Sequence, residues 1–152
     1  MNELISVIIP VKNGSNYIKE AIENILAQKM NVEIIVVDVC SEDNTVEIAN
    51  SLGCKVISHE TSKGQVAGKN TGLREARGKY ILFHDHDDIM ENDALKRLYD
   101  EITSETSLSA VEAKVRDWYS PDLNEEEKIK TPIKQEPYFG LFTGAILIKK
   151  EV

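Results

Sequence analysis

The stretch ISVIIPVKNGSNYIKEAIENIL, residues 5–26, sets an apolar run, a polar turn and an amphipathic segment in immediate succession. Ile5 to Ile9 is short, apolar and rich in β-branched residues, which favours a strand, and Pro10 is expected to end it. The turn Lys12 to Ser15 leads into apolar residues at helical spacing, namely Tyr17, Ile18, Ala21, Ile22, Ile25 and Leu26. This stretch therefore predicts a strand, a turn and a helix.

The same order of elements recurs along the chain. Val32 to Val37 is a second apolar run that ends at Asp38, and Ser41 to Asn44 offers helix-capping side chains. Gly53 suits the left-handed position that closes a helix. The remaining predicted elements are a strand at Lys55 to Ser58, a helix from Gln65 to Arg77 closed by Gly78, a strand at Tyr80 to Phe83, and a helix capped by Asn92 that extends to about Glu101.

Continuous apolar strands that alternate with amphipathic helices indicate a parallel sheet covered on both faces. The chain is therefore predicted to be a three-layer, doubly wound α/β domain with a mostly parallel sheet. Such sheets bind ligands outside the carboxyl ends of their strands. Here those ends carry four polar segments: Pro10 to Asn13, Asp38 to Ser41, His59 to Gly64 and His84 to Asp88.

Size and charge narrow the classes of function. The 152 residues suit one domain, and 26 acidic against 18 basic residues give a net charge of −8, which disfavours non-specific binding to nucleic acid or an anionic membrane. The start of the chain shows no signal-peptide pattern, and no apolar run approaches the ~18 residues of a membrane span. Cys40 and Cys54 fit neither a disulfide framework nor a metal site, so we expect reduced thiols in a cytoplasmic protein.

The pattern changes after Glu105. Leu108 to Tyr119 alternates loosely enough to predict a strand with an irregularity. Ser120 to Pro137 is rich in proline and charge, which predicts an exposed loop. Phe139 to Ile148 is apolar again and predicts a further strand.

The segment His84 to Asp88 is an acidic cluster that directly follows the fourth predicted strand. Side chains alternate along a strand, so Asp85 and Asp87 are expected on one face. Two carboxylates with open positions beside them suit Mg²⁺ or Mn²⁺, which completes its shell with water and substrate phosphates. Asp88 is then an auxiliary carboxylate or a helix cap, and the three acids repel one another unless a cation is bound.

Two other interpretations of this cluster stay open. Aspartates are also typical of a polar turn before a helix, which needs no metal. The histidines could instead ligate zinc, iron or manganese in a phosphodiesterase or nuclease, but such a site needs more ligands and His59 is the only other histidine. For His84 we favour a core position with a hydrogen bond to the backbone.

Four stretches together resemble family-two glycosyltransferases of the GT-A fold, which is the nucleotide-diphospho-sugar transferase type, over nearly the whole chain. They are Ser6 to Asn13, Ile35 to Asp38 with Ser41, Asn44 and Thr45, Lys63 to Gly72, and Gly78 to Asp88. Each stretch is weak alone, but their order and spacing are specific. The resemblance implies metal-dependent transfer of a sugar from a nucleoside-diphosphate sugar to an unknown acceptor.

The resemblance places the donor against Pro10, Val11, Asn13, Asp38, Lys69, Asp85 and His86, and a divalent cation, Mn²⁺ or Mg²⁺, on Asp85 and Asp87. Lys69 stands where such enzymes often have arginine, and a solvated helix lysine is the equal alternative. Gly64, Gly68 and Gly72 are expected to serve close packing and a helix start. Residues 1–105 then form the nucleotide-sugar-binding part of a single domain, and residues 106–152 a reduced acceptor-side part.

The match departs from the family at three places. Lys12 replaces an aromatic residue, and Val39 replaces a second acid; valine cannot accept a hydrogen bond from uracil, so a uridine donor does not follow. The family's Glu-Asp element, which carries the catalytic base, would follow Val152. Asp117 and Glu151 are the other candidate acids, and neither is assigned as the base.

These departures keep two alternatives open. One is a non-catalytic, degenerate module that binds sugar nucleotides or a partner while the partner supplies the chemistry. The other is a metal-dependent nucleotidyltransferase or phosphohydrolase that uses the same acidic cluster. A small acceptor-side part also leaves room for a second copy of the chain over the cleft.

Overall fold

The computed structural model describes residues 2–107, 109–112 and 146–150. This part of the chain contains six strands and four helices, numbered in chain order. The strands are β1 (Ile5–Val11), β2 (Val32–Asp38), β3 (Lys55–Ser58), β4 (Tyr80–Phe83), β5 (Ala110–Glu112) and β6 (Ile146–Lys149). The helices are α1 (Ile18–Ala27), α2 (Thr45–Ser51), α3 (Gly64–Glu75) and α4 (Ala94–Ser104). None of these helices is long and apolar enough to cross a bilayer.

The predicted order of strands and helices is confirmed, and the sheet is mostly parallel. Its strand order is β3-β2-β1-β4-β6-β5, with β1 to β4 parallel and β6 antiparallel to both β4 and β5. The chain builds the sheet outward from β1 to β3 and then crosses back to place β4 on the other side of β1. The direction of winding therefore changes between β1 and β4, and sheets of this class bind ligands at that point.

Alternate side chains of the strands enter two separate cores. One core lies on the side of α1, α2 and α4 and includes Ile9 and Leu82. The other lies on the side of α3 and includes Ile8 and Ile81. Neighbouring residues of one strand are thus buried on opposite faces, which explains why the strands are continuously apolar.

β1 continues through Pro10 to Val11, so the prediction that Pro10 ends the strand is wrong. The carbonyl of Ile8 accepts a hydrogen bond on the β4 side, from His84. The carbonyl of Val11 accepts one on the β2 side, from Val39. Since backbone groups point to alternate sides along a strand, those of Pro10 point to the β4 side. The pairing with β4 has already ended at Ile8, so the missing N–H of Pro10 breaks no ladder bond.

The fourth helix begins at Ala94, so the predicted cap at Asn92 is wrong. Asp93 precedes the helix in the left-handed conformation, with φ of 60°, and its side chain makes no capping hydrogen bond. The side chain of Gln28, the residue directly after α1, caps the helix instead: its Oε1 accepts a hydrogen bond of 3.3 Å from the backbone N–H of Leu95. A side chain from a distant part of the sequence therefore replaces the local cap.

Asn24 of α1 and Gln28, the residue directly after that helix, hold the segment that follows the acidic cluster. Asn24 donates to the carbonyl of Met90 at 3.0 Å and accepts from the N–H of Met90 at 2.8 Å. Gln28 donates to the carbonyl of Glu91 at 3.1 Å. These side-chain amides give the backbone of residues 90–91 the hydrogen bonds that a neighbouring strand would otherwise provide, and they fix this segment against α1.

Two glycines let the backbone of α3 approach the sheet. A Cβ atom at Gly72 would lie 2.3 Å from Cγ2 of the fully buried Ile8. A Cβ atom at Gly68 would lie 3.0 Å from Cβ of Pro10. Gly64 begins the helix with φ of 78°. The prediction that these glycines serve close packing and the helix start is confirmed.

The predicted strands after Glu105 are described only in part. Ala110–Glu112 and Ile146–Lys149 are strands and lie within or at the end of the predicted segments. The rest of those segments, the predicted loop at 120–137 and the candidate acids Asp117 and Glu151 lie outside the described residues.

Gly72→Ala is expected to lower the free energy of unfolding by about 1 to 3 kcal/mol, because the added methyl group overpacks against Ile8. Urea denaturation measures the change. In an Ile8→Ala background the same substitution should cost much less, since the contacts with Cγ2 and Cγ1 are gone and only the contact with Cβ at 3.3 Å remains. Alanine also favours a helix over glycine by about 1 kcal/mol. Equal losses in both backgrounds would contradict the proposed contact.

Asn24→Asp keeps the shape of the side chain and removes the donor to Met90. At pH 7 we expect a loss of about 1 to 3 kcal/mol in the free energy of unfolding, because the carbonyl loses its partner and faces a charge. The folded state favours the protonated form of the new carboxyl group, which raises its pKa above the unfolded value of about 4. The loss should therefore shrink as the pH falls towards about 4 and stay small below it.

The control for this substitution is Asn16→Asp, which makes the same charge change at an exposed asparagine. Denaturation curves of both variants between pH 3 and pH 7 separate the lost donor from a general charge effect. A loss at Asn24 that stays constant over this range would show that the hydrogen bond to Met90 is not its cause.

Candidate functional site

The loops after β1 and β2 are tied together by reciprocal hydrogen bonds. The N–H of Asn13 donates to Ser41 Oγ at 2.8 Å, and the N–H of Glu42 donates to Asn13 Oδ1 at 2.8 Å. Asn13 has φ of 54°, a left-handed conformation that asparagine tolerates better than most residues. Each loop thus satisfies backbone N–H groups of the other.

Thr45 and Asp43 extend this connection into the buried part of the loops. The hydroxyl of the buried Thr45 accepts from the N–H of Gly14 at 2.9 Å and donates to Asp43. The second carboxylate oxygen of Asp43 accepts from the N–H of Ser15 at 3.0 Å. The hydrogen bond from the Thr45 hydroxyl, together with these backbone bonds, lowers the pKa of Asp43 to about 2. Asp43 is therefore a fixed negative charge at neutral pH.

The predicted helix-capping segment works differently from expectation. Asn44 occupies the cap position of α2, but its side chain makes no capping hydrogen bond. Asp43 accepts from the N–H of Thr45 at 3.1 Å instead. The side chains of this segment therefore serve mainly to join two loops.

Asp38, the predicted nucleoside contact, ends β2 and is only 4% exposed. Its Oδ1 accepts a hydrogen bond of 3.0 Å from the N–H of Ser41. One carboxylate oxygen of Asp38 thus shapes the loop after β2. The pairing of Val11 with Asp38 in the sheet places this carboxylate beside the end of β1.

The side chains of the two residues after Asp38 contact other parts of the chain. Val39 is 2% exposed, and its side chain lies close to Gly68 of α3. Cys40 has φ of 63°, and its thiol donates to the carbonyl of His59 at 3.0 Å. Val39 is therefore part of the core between the sheet and α3, where an aspartate would be buried.

The acidic cluster is a turn. β4 ends at Phe83, and the N–H of Asp88 donates to the carbonyl of Asp85 at 3.3 Å. The strand alternation that was expected to bring Asp85 and Asp87 to one face therefore does not extend to them. Asp85 is half-buried and Asp87 is exposed.

The carboxylates of this turn lie close enough to influence one another. Burial raises the pKa of Asp88 above its usual range, and the negative charges of Asp85 and Asp87 raise it further. A bound cation would relieve this repulsion.

The turn suits an open cation site. In the described ranges, no three His, Cys, Asp or Glu side chains are grouped closely enough to enclose a metal ion. Mg²⁺ is usually held by one or two carboxylates together with water and substrate phosphates, and Mn²⁺ has similar ligand preferences. Asp85 and Asp87 fit that kind of site, in which the nucleotide completes the shell.

His84 is a core histidine, as predicted. It is 1% exposed, and its Nε2 donates to the carbonyl of Asp88 at 3.2 Å. Burial lowers its pKa, which keeps the ring neutral at neutral pH. The hydrogen bond holds the two ends of the acidic turn together.

Lys69 lies beside the strand that leads into the acidic turn, and His86 lies within the turn. The ammonium of Lys69 lies 5.8 Å from the centroid of Phe83, the last residue of β4, so the side chain extends from α3 to the end of that strand. The ring of His86 packs on Gly14 in the loop after β1.

The structure brings the residues predicted for the site to the carboxyl edge of β1, β2 and β4, with Lys69 beside that edge. They are Pro10, Val11, Asn13, Asp38, Lys69, Asp85, His86 and Asp87. Sequence analysis missed Asn24 and Gln28, and it did not predict that Asp43 and Thr45 join two loops. Their partners lie far away in the sequence, so no local pattern predicts these hydrogen bonds.

Known proteins share the sequence pattern. The family model described as glycosyl transferase family 2 matches residues 6–147. The glycosyltransferase GlyG of Streptococcus pneumoniae is 38% identical over 108 residues, which are 67% of this chain and 36% of GlyG. The poly(ribitol-phosphate) beta-N-acetylglucosaminyltransferase TarS of Staphylococcus aureus is 37% identical over 99 residues, 60% of this chain and 17% of TarS. The matched residues thus span about a third of GlyG and about a sixth of TarS.

Solved structures share the fold. S. aureus TarS in complex with UDP matches with a TM-score of 0.75 and 26% identity, over 96% of this chain and 46% of that one. TarS in complex with UDP-GlcNAc gives 0.62 and 33% identity, over 68% and 32%. A Pyrobaculum calidifontis mannosyltransferase in complex with GDP-Man and Mn²⁺ gives 0.71 and 24% identity, over 76% and 36%. This chain has the GT-A fold and belongs to glycosyl transferase family 2.

Proposed function

We propose that this chain binds a nucleoside-diphosphate sugar at the carboxyl edge of β1, β2 and β4, and that it takes part in transferring the sugar to an acceptor. Asp85 and Asp87 would hold a divalent cation, Mn²⁺ or Mg²⁺, which would supply positive charge to the diphosphate. One observation carries the proposal: the crowded acidic turn stands at the point where the winding of the sheet changes direction, beside two joined loops.

The proposed site divides the donor between three elements. The nucleoside lies along the loops after β1 and β2, against Pro10, Val11, Asn13 and Asp38. The diphosphate lies between these loops and the acidic turn, with Lys69 beside it. Related structures support this class of donor, since TarS was solved with UDP and with UDP-GlcNAc.

The transfer does not require these residues to form covalent bonds with the donor or the acceptor. The acceptor oxygen attacks the anomeric carbon, the bond from that carbon to the diphosphate breaks, and the hydroxyl proton passes to a base. The cation, when bound, supplies positive charge to the leaving diphosphate. Asp85 and Asp87 hold that charge in place, and Lys69 adds a second cation beside the diphosphate.

Recognition of the nucleobase is proposed to be weak. The side chain of Val39 is buried against α3 and offers no hydrogen-bond acceptor to a nucleobase. Binding then depends mainly on the diphosphate and the cation. Titrations therefore include both UDP and GDP, and the tighter of the two serves as the probe.

Asp87→Ala is expected to remove the effect of Mn²⁺ on nucleotide binding. In the unmodified chain Mn²⁺ should lower the dissociation constant of the nucleotide at least about tenfold, because cation and diphosphate complete one site. In the variant the two constants, measured by calorimetry with and without Mn²⁺, should converge. Asp100→Ala removes the same charge from the exposed surface of α4 and should behave like the unmodified chain.

Either of two results would overturn the cation site. One is an affinity for UDP and GDP that does not respond to Mn²⁺ in the unmodified chain. The other is an Asp87→Ala variant that keeps the whole response. Hydrolysis of a sugar nucleotide in the presence of Mn²⁺, followed as free sugar, then tests whether binding leads to turnover.

Lys69→Ala is expected to raise the dissociation constant of the nucleoside diphosphate about tenfold, both with and without Mn²⁺, because a charge-assisted contact to phosphate is lost. The corresponding nucleoside should bind as before, since Lys69 lies beside the diphosphate. Lys19→Ala, at an exposed lysine of α1, is the control. Equal weakening for the nucleoside and the diphosphate would show that Lys69 acts through the fold alone.

A further inference from the structure

His86 occupies the middle of the acidic turn, and its ring lies against the backbone of a different loop. A Cβ atom at Gly14 would lie 2.6 Å from Cδ2 and 3.3 Å from Cγ of the His86 ring. The contact is therefore made by ring carbon atoms over a position without a side chain. Only 18% of the His86 side chain is exposed.

Gly14 is a rigid support for that ring. Its N–H donates to the buried hydroxyl of Thr45 at 2.9 Å. Its carbonyl accepts from the N–H groups of Tyr17 at 3.0 Å and Ile18 at 2.9 Å, at the start of α1. Both backbone polar groups of Gly14 are thus bonded, and neither can shift without breaking the start of α1 or the link to the loop after β2.

A hydrogen bond of the ring atom Nδ1 does not explain the position of His86. Among the described residues, Nδ1 is buried without a hydrogen-bond partner, and it lies 3.9 Å from Asp87 Oδ1, beyond hydrogen-bond distance. The ring fills the space between the acidic turn and Gly14. Because its carbon atoms make this contact, the ring acts through its size and shape.

The acidic turn needs such a support on this side. It lies beyond the end of β4 and is closed by one backbone hydrogen bond of 3.3 Å. Its far end is held through His84 to Asp88 and through Asn24 to Met90. The side that faces the loop after β1 is held by His86.

We propose that His86 is a positioning residue: its ring, seated on Gly14, sets the spacing between the acidic turn and the loop after β1, and so aligns the cation with the nucleotide. This inference rests on the proposed function, because it assumes that cation and nucleotide bind together. It assigns to His86 a role through Asp85 and Asp87, in place of the direct donor contact that the family resemblance implies.

Two substitutions at one position test the role of the ring. His86→Phe keeps an aromatic ring on Gly14 and removes both nitrogen atoms, whereas His86→Ala removes the ring. Nucleotide dissociation constants are measured by calorimetry with and without Mn²⁺. We expect His86→Phe to keep an Mn²⁺ response close to that of the unmodified chain, and His86→Ala to lose about tenfold of it, as is usual for residues that orient metal ligands.

The contact is also tested from the other side. Gly14→Ala should displace the ring and weaken the Mn²⁺ response, and Gly14→Ala with His86→Ala should recover part of it, because the added methyl group then has room on that side. The same methyl group would also meet Val11 Cγ2 at 2.5 Å. Thermal unfolding of each variant checks that it folds, and the His86 pair decides the question if Gly14→Ala does not.

The outcomes separate this inference from the function on which it rests. No Mn²⁺ response in the unmodified chain overturns the proposed function and this inference with it. A response that is lost equally in His86→Phe and His86→Ala keeps the proposed function and overturns the positioning role, because the nitrogen atoms are then required. A response that survives in His86→Ala also overturns it.

Discussion

The loops at the carboxyl edge of the sheet depend on one constraint: many of their backbone N–H and C=O groups lie outside the regular hydrogen bonding of helices and strands and need other partners. In this structure side chains from other loops and from the helices α1 and α2 provide them. Thr45 and Asp43 bind the loop after β1, and Asn24 binds the segment after the acidic turn. The candidate site is therefore a set of mutually supported loops, and a change in one of them is transmitted to the others.

This dependence explains which features the sequence predicts well. The apolar runs of β1, β2 and β4 and the alternation of strands with helices predict the sheet, because burial on both faces leaves a continuous apolar pattern. The meeting of the candidate site residues at one edge is also predictable, since parallel strands end at the same edge. Local patterns fail where partners are distant: Gln28, just after α1, caps α4, and Pro10 is tolerated within β1 because the pairing with β4 has already ended.

Charge within the site follows from the same arrangement. His84 is kept neutral by burial, whereas Asp43 stays ionised because the Thr45 hydroxyl and neighbouring N–H groups donate to it. At the acidic turn, burial and two neighbouring carboxylates raise the pKa of Asp88. Hydrogen bonds therefore stabilise negative charge between the loops after β1 and β2, whereas at the turn burial and neighbouring carboxylates disfavour the ionised form of Asp88. This contrast supports the proposal of a cation at the turn and not at Asp43.

The central claim is that the diphosphate of a nucleotide and a divalent cation meet at the acidic turn. Crystals of the protein grown with UDP or GDP and Mn²⁺ test it most directly, because the anomalous scattering of manganese locates the ion independently of the protein atoms. We expect one anomalous peak, from a manganese ion in contact with the carboxylates of Asp85 and Asp87 and with the oxygens of the diphosphate. A nucleotide bound at this edge with no manganese at the turn, or with manganese on other side chains, would contradict it.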